Sequence, residues 1–286
     1  MIKLYIALAL LVSGTALGQI EQNVNKTTGT VSNAINDIDS IRFNGTQTEM
    51  QIVLTNGTVV NHAISDINNV TFTPLTGVYP AGTVHCGGVA TTVVDVTNPI
   101  TGKTWMDRNL GASQVATSSQ DALAYGDLYQ WGRRADGHQC RTSPTTATLS
   151  SVDQPSHGDF IIAPNAPYDW RSPQNTNFWQ GVNGVNNPCP SGYRIPTHAE
   201  QIAELNSWTT GNLAGAFASP LKLSAAGDRA AQTGALNPVG TMGRYWSSNI
   251  FGTMSSFIRL NIGGSLINPT FEGGRSTGYS VRCIKD

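Results

Sequence analysis

Apolar residues recur at two different periods along this chain, and the change of period divides it. Toward the N-terminus they alternate with polar ones, as in Ile52, Leu54 and Val59 with Asn56-Gly57 between them. Period-two alternation across an Asn-Gly pair predicts a hairpin closed by a tight turn. The pattern occurs twice: residues 23–43 (NVNKTTGTVSNAINDIDSIRF) align with residues 52–72 (IVLTNGTVVNHAISDINNVTF). Each copy carries Gly-Thr-Val, then Ile-x-Asp-Ile, then an aliphatic and a phenylalanine two apart (Ile41 and Phe43; Val70 and Phe72). A lone hairpin is marginal in water, whereas two copies can cover each other's apolar faces. A repeated β-hairpin module over residues 19–75 is therefore expected. Pro and Gly between 74 and 82 break the pattern ahead of a second domain, residues 83–286.

Helical spacing is confined to that second domain. Ser118-x-x-Asp121, followed by Tyr125, Leu128 and Tyr129, predicts a capped helix that ends at Gly132. Thr197-x-x-Glu200 is a cleaner capping box, with Pro196 before it and Ala199, Ile202 and Leu205 expected on the inward face. Short strands are expected at 104–107, 244–248, 256–261 and 280–284, with Gly263-Gly264 and Gly273-Gly274 as hairpin turns. Thirty Gly and fourteen Pro point the same way, to many turns and few helices.

Composition then narrows the setting. Residues 1–18 read as a signal peptide: Lys3, an apolar run over 4–12, then Ala16 and Gly18 ahead of Gln19. That run is about half the roughly 20 residues a membrane helix needs. The expected product is exported, without membrane insertion. Charged residues make up 12% of the chain and net charge is −1, so no basic patch exists to recruit nucleic acid. Four cysteines in an exported chain imply two disulfides, with three possible connectivities. The expected pairs are Cys86 with Cys140 and Cys189 with Cys283. The alternative is a zinc site of His85, Cys86, His138 and Cys140, although its spacing matches no standard finger.

Five stretches then suggest a family: GKTWMDRNLGA (102–112), DALAYGDLYQWGRRADGH (121–138), YDWRSPQNTNFWQGVNGVNNPCPSGYRIPTHAE (168–200), YWSSN (245–249) and GYSVRCIKD (278–286). In that order, over about two hundred residues, they resemble the Fibrobacter succinogenes major paralogous domain. The resemblance implies an exported or surface protein of Bacteroidota-type bacteria with an α+β, C-type-lectin-like fold. Such a fold is loop-rich, with adjacent terminal strands and two helices flanking a twisted antiparallel sheet. It implies no established activity. Ile38-Asp39-Ser40-Ile41-Arg42-Phe43 resembles a short module that precedes other domains in exported proteins of such bacteria. The Arg-Ile-Pro-Thr-x-Ala-Glu run also resembles formylglycine-generating enzymes, but their reactive cysteine pair near the C-terminus has only Cys283 as a counterpart here.

Candidate chemistry is sparse. His157, with Ser156 adjacent and Asp153 and Asp159 nearby, lies in a polar loop without the Gly-x-Ser-x-Gly or His-Glu-x-x-His context of a catalytic centre, so no catalytic residue is expected. Four Asn-x-Thr sequons (Asn25, Asn44, Asn56, Asn69) would suggest glycosylation in a eukaryote, but in a strand-and-turn segment rich in Asn and Thr they are read as chance. No cofactor is expected. Calcium is the one metal with any support, from the oxygen-rich loop 164–179 and from Asp153-Gln154-Pro155-Ser156 and Trp246-Ser247-Ser248-Asn249, which approximate lectin calcium motifs but lack their carboxylates. Trp170, Asn177 and Trp179 in that loop are the expected ligand-binding residues, since an exposed aromatic face can stack on a sugar or anchor a protein. The expected function is non-catalytic binding of a glycan or protein. The alternatives are a surface component that assembles through the N-terminal repeats and, third, an enzyme of the formylglycine-generating fold group.

Overall fold

The computed structural model describes residues 20–34, 38–74, 77–262 and 271–286. The stretch read as a signal peptide and the turn expected at Gly263-Gly264 lie outside the described residues. The chain divides into two compact units between Thr73 and Pro74.

In the first unit, each repeat forms a hairpin and a third strand: β1 (Ile20–Lys26), β2 (Gly29–Ala34) and β3 (Ile38–Phe43), then β4 (Glu49–Leu54), β5 (Val59–Ala63) and β6 (Ile67–Pro74). The third strands are exchanged. β3 pairs antiparallel with β4 of the second copy, and β6 joins β1 of the first, giving sheets β3-β4-β5 and β2-β1-β6. Neither copy thus completes a sheet alone, which is how the repeat escapes the marginal stability of a single hairpin. Gly57, at φ 84°, closes β4 onto β5, and its amide donates to Leu54 O. Val24, Met50 and Ile52 form the core. Two sequon asparagines hold turns: Asn44 accepts from the Thr48 and Glu49 amides and Asn56 from that of Thr58.

The second unit is built mostly of short strands: β7 (Asp95–Thr97), β8 (Thr104–Met106), β9 (Tyr129–Gln130), β10 (Thr145–Thr146), β11 (Phe160–Ile161) and β12 (Tyr193–Arg194). Helices α1 (His198–Asn206) and α2 (Leu213–Ala218) follow, the two α-helices among the described residues. Then come β13 (Asp228–Arg229), β14 (Leu236–Asn237), β15 (Met242–Phe251), β16 (Met254–Asn261), β17 (Phe271–Gly273), β18 (Gly278–Tyr279) and β19 (Ile284–Lys285). Their sheets run β12-β19-β8-β7, β14-β13-β18-β9 and β15-β16-β17, with β10 parallel to β11. The last strand of the chain therefore lies between β12 and β8, one of the unit's first. Mostly sheet with two helices, the chain is of an α+β or mostly-β class.

The capping box at α1 is complete: Thr197 Oγ1 accepts from the Glu200 amide while Glu200 accepts from the Thr197 amide. The buried face, however, is Gln201, Glu204 and Leu205, with Ile202 packed beside it and Ala199 exposed. Gln201 replaces an expected apolar contact because its Nε2 donates to the Tyr245 and Trp246 carbonyls of β15. The other expected helix does not form. Asp121 caps only the single 3-10 turn Ala122–Ala124. Gly126, at φ 67°, then turns the chain against the Leu110 carbonyl, where a Cβ would sit 2.3 Å from the oxygen. Leu128 and Tyr129 continue extended into β9. Strands form as expected at 104–106, 242–251 and 254–261. The expected strand at 280–284 is broken, reduced to a Ser280 bridge to Tyr245 and to β19. Gly273-Gly274 is no hairpin turn, because β17 and β18 belong to different sheets.

Both disulfides join the expected partners, Cys86 to Cys140 and Cys189 to Cys283. The larger core surrounds Cys189–Cys283 and four tryptophans: Trp131, Trp170, Trp179 and Trp246. Each indole N–H donates to a backbone carbonyl: Trp131 to Ser247, Trp170 to Trp131, Trp179 to Asn186 and Trp246 to Tyr129. Buried indoles with satisfied donors bind distant loops into one interior.

Candidate functional site

A cavity of about 310 Å³ lies in the second unit, between the Tyr79–Thr92 segment, the turn after β8, and the entry to β9. Local bonds fix its walls. The Cys86–Cys140 disulfide and the Val84 amide bond to Ala135 O (2.7 Å) hold the first segment. Gly111 N donates to Thr91 Oγ1 at 2.7 Å, and the Asp127 amide to Leu110 O at 2.9 Å. Gly111, at φ 82°, lies so close to Asp127 that a Cβ there would be 2.2 Å from the carboxyl carbon. Only glycine permits that approach.

Asp127 is 6% exposed, and no hydrogen bond from a described residue reaches its carboxylate. Burial pushes its pKa up to about 7, with Arg141 pulling weakly the other way. Arg141 itself is committed to the carbonyls of Gly126 (2.7 Å) and Ala226 (2.9 Å). Arg108, the other nearby cation, forks onto Asp107. Beside Asp127 stand Tyr79, Tyr129 and His85, with Tyr79 and His85 edge to face at 5.1 Å. Burial raises the Tyr79 pKa to about 12, and its hydroxyl donates to Thr91 O. The Thr83 and Ser113 hydroxyls donate to carbonyls of Pro80 and Leu123. One uncompensated carboxylate thus faces an aromatic and aliphatic cavity whose other hydroxyls are largely occupied. The Gly111 amide, already bonded to Thr91, is not free to serve an oxyanion.

The expected binding residues lie elsewhere, and two of them are corrected. Trp170 and Trp179 are 0% exposed, so neither ring offers a stacking face. Trp170 stacks on Phe178 and Trp179 tilts against Trp131. The loop follows a polar course outside, but its aromatic residues turn inward to fill the core. Asn177 is exposed, its amide bonded to Asn175 Oδ1. In the loop proposed for calcium, Asp169 accepts from Gln174 and the Arg171 amide and lies 3.5 Å from Arg275. Asp153 pairs with Arg171 at 2.7 Å. Guanidinium partners give these carboxylates no call for a cation. Among the described residues no group of three or more metal-ligating side chains gathers. His138, proposed for zinc, is buried, with Nδ1 on Asp136 and Nε2 accepting from the Gln130 amide. His157 and Asp159 face each other at 3.6 Å in the open, apart from the cavity.

Asp127 and Gly111 both fall inside the stretches that carried the family resemblance, yet neither stood out there. The signal was an acid within the otherwise apolar run Tyr125, Leu128, Tyr129, after a glycine; the expected helix would have turned it to solvent. No family model, curated protein or solved structure matches the chain.

Proposed function

We propose that the chain is an exported, non-catalytic binding protein, and that its second unit, a C-type-lectin-like domain of the Fibrobacter succinogenes major paralogous type, takes a group of a glycan or protein ligand into the Asp127 cavity. The observation that carries this is a carboxylate only 6% exposed that lines a cavity and accepts no hydrogen bond from a described residue, an arrangement suited to a ligand's polar group. Support for export comes from the two disulfides, which persist in oxidising compartments, and no described helix is long and apolar enough to cross a membrane. Support for the fold comes from β19 lying beside β8 and from the two helices.

The test is a glycan and peptide array probed with the full chain and with a variant carrying Val89→Trp and Thr92→Trp, exposed positions at the cavity's rim. Loss of every array signal in the variant, at unchanged Tm, is the expected result. Signals that survive the blocked rim would overturn the cavity as the binding site.

A further inference from the structure

We propose that the group this cavity takes is a primary alkylammonium, the head of a lysine side chain or of a small free amine, with Asp127 as its counter-ion. This rests on the cavity being the binding site and names the chemistry it selects.

Charge, shape and the hydrogen bonds already made select that group. An ionised carboxylate buried without donors is costly, and a cationic donor compensates it more fully than a neutral hydroxyl. Neither nearby guanidinium provides that donor, because Arg141 is held by two carbonyls and Arg108 by Asp107. A divalent cation is poorly served: calcium takes six to eight oxygens, and here the Thr91 carbonyl and hydroxyl already accept from Tyr79 and Gly111. A single positive charge matches a single carboxylate. With Asp127, the cavity is lined by Tyr79, Tyr129 and His85 and by the aliphatic Leu110 and Ala112. Aromatic rings attract a cation, and apolar walls suit the methylene stem behind it. The cavity volume of about 310 Å³ leaves room for a stem of several carbons.

The experiment follows the backbone amide resonances of Gly111 and Asp127 in the full chain at pH 8, during titration with n-butylamine, Nα-acetyl-lysine methylamide and 1-butanol. Saturable shifts with either amine and none with 1-butanol are expected, and the stronger of the two amines identifies a free or a peptide-borne source. Asp127→Asn, which keeps the shape, should weaken amine binding by about tenfold or more. Equal binding of 1-butanol, or full affinity in a folded Asp127→Asn chain, would overturn the ammonium while leaving the cavity as a site. Silence from all three probes would overturn it too. The rim-blocked array comparison, which uses no amine, then decides separately whether the cavity reading stands.

Discussion

Arg194 donates to both carboxylate oxygens of Glu200, at 2.8 Å each, and through Nε to Asp286 at 2.7 Å. The same Glu200 closes the capping box on Thr197, so one side chain ties the start of α1 to β12 and to the last residue. Burial by itself would raise the Glu200 pKa; the Arg194 and Thr197 hydrogen bonds outweigh it and hold the group at about 2. Arg194→Lys keeps the charge but loses the fork. It should lower stability by about 1 kcal/mol, read as the urea midpoint at pH 7. Because the folded pKa is depressed, this contribution is present above about 4.5 and fades as pH falls toward 2. The difference from wild type should shrink accordingly.

Trp170 and Trp179 carry stability rather than exposed recognition. Each fills core volume and donates its indole N–H to a backbone carbonyl, Trp170 to distant Trp131 and Trp179 to Asn186 seven residues on. Either residue changed to Ala should therefore cost roughly 3–5 kcal/mol. An unchanged urea midpoint in either variant would contradict their burial.

What was legible in the sequence was local. The Thr197–Glu200 box signals itself because both partners lie within one turn, and the hairpin at Asn56-Gly57 because the turn requires a positive φ that glycine adopts freely. The disulfide pairs followed from export and an even cysteine count, with the choice among connectivities resting on a guess that the structure matches. What was not legible depends on distant partners. Nothing near Gly126 in sequence says that Leu110 O will press against it, so Tyr125, Leu128 and Tyr129 kept the spacing of a helix they do not form. Polar neighbours around Trp170 and Trp179 hid the fact that both indoles turn inward. The exchange of β3 and β6 was likewise invisible, since the two copies are equivalent in pattern and either pairing satisfies it.

The two disulfides should separate under mild reduction. Cys86 is exposed, whereas Cys189 and Cys283 are 1% and 0% exposed. Thiol exchange needs access to sulfur. Dithiothreitol followed by iodoacetamide under native conditions should label Cys86 and Cys140 alone, with Cys189 and Cys283 reacting only after denaturant is added. Peptide mass spectrometry reads the order. The exposed link closes a separation of 54 residues and the buried one 94; in the chain-entropy model each contributes roughly 4–5 kcal/mol. Opening the first should therefore lower Tm clearly even while the second is intact.

Asp127 and His138 should pull the pH profile in opposite directions. Asp127 has a folded pKa of about 7 against an ordinary 3.8, through burial. The folded form thus binds the extra proton, and stability falls as pH rises across that window, by on the order of 4 kcal/mol. His138 has a folded pKa of about 4 against 6.5, through burial first and Arg133 second. Here the unfolded chain binds the extra proton, and stability falls as pH drops from 6.5 to 4, by on the order of 3 kcal/mol. Between pH 4 and 6.5 the two contributions nearly cancel in wild type. Asp127→Asn removes one of them. Urea unfolding should then show the variant close to wild type at pH 4, more stable than wild type at pH 8, and losing more stability than wild type on acidification between them. A variant less stable than wild type at pH 8 would mean that the Asp127 carboxylate is satisfied within the fold. A more stable one would mark Asp127 as a residue the fold tolerates at a loss, as groups serving a ligand commonly are.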